Sequence, residues 1–130
     1  SACLAPGGTF VLVDFHPILT TLEPDEQTGR FYIDYSYFSS AGPERVDSPH
    51  SYAGGDATLE HTVSYQWNHG LGEIIGACLK NDIAVESVDE YPYLYQNLFP
   101  GHLRQEGRRW VLAGTDLEIP MLFSIKGARR

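Results

Sequence analysis

Apolar and polar positions fall into three kinds of run along this chain. Thr9-Phe10-Val11-Leu12-Val13 is continuous and β-rich, with no polar alternation. That pattern predicts a strand buried on both faces, as in a parallel sheet covered by helices. The Pro6-Gly7-Gly8 turn leads into it, because proline pre-sets φ and glycine accepts positive φ. Asp14-Phe15-His16-Pro17 closes it, and residues 19–29 form a polar connection. Two other segments alternate. Phe31, Ile33, Tyr35 and Tyr37 share one face of residues 31–38. His61, Val63, Tyr65, Trp67 and His69 share one face of residues 61–69. The two segments are expected to pair antiparallel, with one half-buried face. The loop between them, residues 39–60, is rich in Ser, Gly, Pro and Asp and is long enough to act as a lid.

The third run has a helical period. Leu71, Ile74, Ile75, Cys78 and Leu79 fall at i, i+3, i+4, i+7 and i+8, which predicts a helix from Leu71 to Asp82. Asn68 or Gly70 can cap its start, and Glu73 in the first turn suits the helix dipole. Ile83 to Tyr91 predicts a strand, Tyr91 to Tyr95 an aromatic stretch, Arg108 to Leu112 a short strand and Met121 to Gly127 the last strand. The expected architecture is one α/β domain over residues 1–130: strand, antiparallel insertion over residues 18–69, helix, strand, loop, strand. One helix is too few to cover both faces of strand 9–13, so the pattern encodes part of an α/β sandwich.

Composition narrows the function classes. The chain has 130 residues, 42% hydrophobic and 20% charged, with a net charge of -8. It can bury a core. The acidic balance argues against nucleic acid, whose binding rests on Lys and Arg neutralising phosphates, and against an anionic membrane surface. No apolar run approaches the roughly 20 residues of a membrane helix, and no stretch has the charged-then-apolar pattern of a secretion signal. Cys3 and Cys78 are too few for a disulfide scaffold and are expected to be reduced thiols in a cytoplasmic protein.

The segment "LAPGGTFVLVDFHP" resembles the Leu-x-Pro-Gly-Gly turn and fifth strand of class I S-adenosylmethionine-dependent methyltransferases. "WNHGLGEIIGACLKNDIAVESVDEYPY" is similar to the helix after strand five and then strand six of that family. "IPMLFSIKGAR" is similar to strand seven, which inserts antiparallel between five and six. The resemblance runs from Leu4 to Lys126 and implies a partial Rossmann-like methyltransferase sheet of strands five, seven and six. It implies methyl transfer to a small-molecule acceptor. In the family the cofactor is held mainly by an N-terminal half, through a glycine-rich loop after strand one and an acid after strand two. This chain carries neither. Gly70-Leu71-Gly72 with Gly76 lacks a preceding buried strand and the dinucleotide-type spacing. The resemblance therefore implies a C-terminal half, with S-adenosylmethionine bound by the intact protein and no cofactor site here. The alternative is a non-catalytic dimerisation or ligand-binding module derived from that fold. Where strand four would pair, the edge of strand 9–13 is expected to be bare and to drive homo-oligomerisation.

Methyl transfer needs alignment of nucleophile and methyl, and sometimes a base for the acceptor. In open α/β sheets sites lie beyond the carboxyl ends of strands, which here are Asp14-Phe15-His16 and the region after Glu90. His16 is the candidate catalytic residue. A hydrogen bond to the turn before Pro17 is the commoner role for a single histidine there. Asp14, Phe15, Trp67, His69, Tyr91 and Tyr93 are the candidate substrate-binding residues. Core packing is the commoner role for Tyr65 and Trp67, and a wall of a substrate pocket is the other. His61 and His69 are eight residues apart, too far along one strand to share an ion, so no metal site is expected.

Overall fold

The computed structural model describes residues 3–48 and 61–130. The lid proposed over residues 39–60 lies outside the described residues from residue 49 on. The strands are β1 (Thr9–Phe15), β2 (Leu22–Asp25), β3 (Arg30–Ile33), β4 (Glu44–Asp47), β5 (Val63–Gln66), β6 (Ile83–Tyr91), β7 (Leu103–Glu106), β8 (Arg109–Leu112) and β9 (Leu122–Arg129). The one α-helix among the described residues, α1 (Leu71–Lys80), precedes β6. The class is mixed α/β, with mostly antiparallel pairing.

β1, β9 and β6 form one sheet in that order. β9 is antiparallel to both neighbours, so β1 and β6 run parallel. Opposite residues share a face. Leu12 and Val88 flank Ile125, and Asp14 and Glu90 flank Phe123. This is the face on which α1 packs, through Ile74, Ala77 and Cys78. Gly127 lets β9 and β6 close up: a Cβ there would sit 2.6 Å from the Ala84 carbonyl oxygen. The opposite face carries Val11 and Val13 beside Lys126 and Ser124. Both valines are 62% exposed. Burial of strand 9–13 on both faces is thus corrected. Its sequence has no polar alternation, yet among the described residues no element covers that second face, and β1 has a strand on one side only.

The antiparallel pairing of residues 31–38 with 61–69 is also corrected. β3 pairs with β2, and β5 with β4. The Asp25 side chain accepts the Gln27 N–H (2.8 Å) and the Thr28 hydroxyl (2.6 Å), and Gly29 takes φ 70°. That turn closes β2 on β3 before residues 34–38 can extend the strand. Pro24 hid β2 in the sequence, but proline is tolerated on an edge strand.

The main core lies beyond the carboxyl ends of β1 and β6. Leu19, Leu94, Leu103, Met121 and Leu122 form it, with Phe15, Tyr91, Tyr93 and Trp110 packed around them. Leu94 and Trp110 exchange two backbone hydrogen bonds of 2.8 Å, which tie the β7–β8 hairpin to the chain after β6. His102 bridges to the β2–β3 hairpin, its Nε2 lying 3.2 Å from the Asp25 carbonyl oxygen and its ring against Phe31. Among the described residues no helix is long and apolar enough to cross a membrane.

Candidate functional site

A cleft of about 510 Å³ runs between α1 and one face of β1, from Phe10 to Phe15. Its lining brings together Asp14, Phe15, Trp67 and His69 with Phe123, Glu73 and Ile74. Trp67 and Tyr65 are 52% and 60% exposed, which corrects the core-packing expectation for both. β5 is too short, and paired only to β4, to carry either ring into the core. Trp67 faces the cleft instead.

The Trp67-Asn68-His69-Gly70 segment is held by its polar groups. The Asn68 side-chain amide donates to the carbonyl oxygens of Pro17 and Ser36, both at 3.1 Å. It thereby fastens the helix entry to the end of β1. Gly70 is the N-cap of α1. A Cβ at Gly70 would meet the Tyr37 ring at 2.7 Å. The Tyr37 hydroxyl oxygen in turn accepts the Leu71 N–H at 3.0 Å, satisfying one of the orphan donors of the first turn. Glu73 reaches back to accept the Gly70 N–H at 3.1 Å and the Ser39 hydroxyl at 2.6 Å. The Ser39 bond is the main reason its carboxyl sits below the usual range, with the Gly70 N–H and His69 adding to it against a smaller opposing effect of burial.

His16 does not line the cleft. It is buried at 5% exposure, edge-on to Phe123. Its Nδ1 accepts the Ile18 N–H at 3.1 Å, within the turn at Pro17. The proton of the neutral ring is therefore on Nε2. Nε2 lies 2.8 Å from Glu90 Oε1 but off the line of a hydrogen bond, and is otherwise unpartnered. Glu90 is half exposed, so it is the member of this pair that solvent reaches. Tyr91 and Tyr93 lie apart from the cleft. Their rings pack at 5.6 Å, the Tyr91 hydroxyl is 3.0 Å from Ser124 Oγ, and Arg109 stacks 4.2 Å over Tyr93.

Sequence reasoning missed Phe123 and Asn68. Phe123 joins the site only through the β1–β9–β6 register, which no local pattern announces. Asn68 was legible only as a helix cap.

The glycines of the helix entry do not form a cofactor cradle. The space above Gly70 is filled by Tyr37, and Gly72 and Gly76 face nothing within 4 Å. Among the described residues no group of three His, Cys, Asp or Glu side chains could bind a metal ion. Comparison with protein-family models, with curated proteins and with solved structures gives no match in any of the three.

Proposed function

We propose that this chain is the acceptor-side, C-terminal portion of a class I S-adenosylmethionine-dependent methyltransferase, acting on a small-molecule acceptor. One observation carries the reading: β9 lies antiparallel between the parallel strands β1 and β6. That is the five-seven-six order implied by the resemblance of "LAPGGTFVLVDFHP" and the segments after it. The Asp14 and Trp67 end of the cleft lies at the carboxyl end of β1, the side of the strands on which open α/β sheets bind ligands. In this reading S-adenosylmethionine is held by residues outside the chain.

The chain's own part is to seat the acceptor and exclude water. Phe15 and Trp67 supply an aromatic wall over the buried Phe123, and Asp14 supplies a polar anchor at the rim. Glu90 and the buried His16 beside it lie outside the cleft lining, and neither is assigned a step on the acceptor. A homo-oligomer through the bare edge of β1 belongs to the same proposal, supported by the exposed Val11 and Val13.

Calorimetric titration tests the assignment. The chain alone should show no micromolar affinity for S-adenosylmethionine. The full-length protein should bind it. Micromolar binding by the chain alone, or none by the whole protein, overturns the reading. Sedimentation at micromolar concentration should give a species larger than a monomer.

A further inference from the structure

The cleft carries one sign of charge. Asp14 and Glu73 line it, with neither Lys nor Arg among its residues, and His69 is the one basic side chain at its rim. The two carboxylates differ in what they already hold. Glu73 is engaged by Gly70, Ser39 and His69. Asp14 accepts only the N–H of its neighbour Phe15, at 2.7 Å, and has no other partner among the described residues. Glu90 stands in the same row as Asp14, with Phe123 between them. Carboxylates therefore flank an aromatic residue of the cleft on both sides. The chain as a whole adds to this field, with a net charge of -8.

We propose that the cleft takes a cationic amine with an aromatic body, its ring against Phe15 and Trp67 and its ammonium at Asp14. An ammonium gains a charge-assisted bond to the carboxylate and attraction from the aromatic faces. A carboxylate ligand of the same shape meets repulsion from Asp14 and has no Lys or Arg among the described lining residues to receive it. The volume, about 510 Å³, suits a ligand of one or two rings. This deepens the reading of the cleft as the acceptor site and rests on it for the ligand's role, whereas binding itself requires no methyl donor.

Three probes of one shape separate the charge states: tyramine, 4-ethylphenol and 3-(4-hydroxyphenyl)propionate. Binding is read by NMR from the indole N–H signals. Trp67 lines the cleft, and Trp110, packed against the core, is the internal control. Tyramine should move Trp67 and not Trp110, and should bind about fivefold more tightly than 4-ethylphenol, with the propionate weakest. Asp14→Asn should remove most of the preference for tyramine over 4-ethylphenol without weakening 4-ethylphenol. Added salt should do the same in the unaltered chain, which keeps the test independent of the variant's folding. Equal or tighter binding of the propionate, a response at Trp110 instead of Trp67, or a preference indifferent to salt overturns the proposal. Because no methyl donor is present, those results leave the methyltransferase reading standing. A whole protein that binds tyramine but not S-adenosylmethionine overturns that reading and leaves the ligand class intact.

Discussion

The two faces of β1 are built from equally apolar sequence and end in different states. Phe10 and Leu12 turn toward α1 and help line the cleft, with Ile125 fully buried beside them. Val11 and Val13 turn the other way and remain 62% exposed. Strand composition alone does not decide burial. The layer that packs on each face decides it, and among the described residues α1 packs on one face only.

Substitutions on the two faces should separate most widely. Ile125→Ala leaves a cavity under α1 and should lower unfolding stability by about 2–5 kcal/mol. Val13→Ala on the open face should change it by no more than about 0.5 kcal/mol. Urea denaturation of both variants checks the contrast, and equal losses would mean that the second face is also covered in solution. Gly127→Ala probes the backbone contact within the sheet. Its Cβ meets the Ala84 carbonyl oxygen rather than a movable side chain, so a loss of about 1–3 kcal/mol is expected.

The helix entry gives a smaller contrast. Gly70→Ala drives a methyl into the Tyr37 ring that receives the Leu71 N–H, and should destabilise by about 1 kcal/mol. Gly72→Ala, open to solvent inside the same helix, should stabilise by about 0.5–1 kcal/mol. Thermal melts that moved in the same direction for both would break the distinction. The mildest effect is that of pH. Because Glu73 titrates below its ordinary range, its bonds to Ser39 and Gly70 stabilise the fold above that range. The gain is lost as pH falls through the lowered value. The stability difference between the unaltered chain and Glu73→Gln should therefore be present at neutral pH and vanish in acid.

Long elements with a strong period were legible in the sequence. The helix at Leu71 and the strands at Thr9, Ile83 and Arg109 fall within a residue or two of where they were expected. The hairpins β2–β3 and β4–β5 were not, because short edge pairs depend on turn chemistry. Asp25 and Gly29 cut the alternating segment at Ile33, and residues 34–38 keep their alternation without a partner. Half of the cleft was legible too. Asp14, Phe15, Trp67 and His69 converge because the end of a strand and the start of a helix are tied by Asn68. Tyr91 and Tyr93 were plausible for the same reason of position. They are drawn instead into the core made by the β7–β8 hairpin, an element whose first strand carries no hydrophobic alternation beyond Leu103.

The most direct test of the central claim is methyl transfer by the full-length protein. S-adenosylmethionine and tyramine are supplied, and the acceptor's mass is followed. The account predicts that tyramine gains a methyl group and that Trp67→Ala slows the gain by about tenfold or more, through loss of acceptor alignment. Absence of methylated product with S-adenosylmethionine bound, or a rate unchanged by Trp67→Ala, would contradict it.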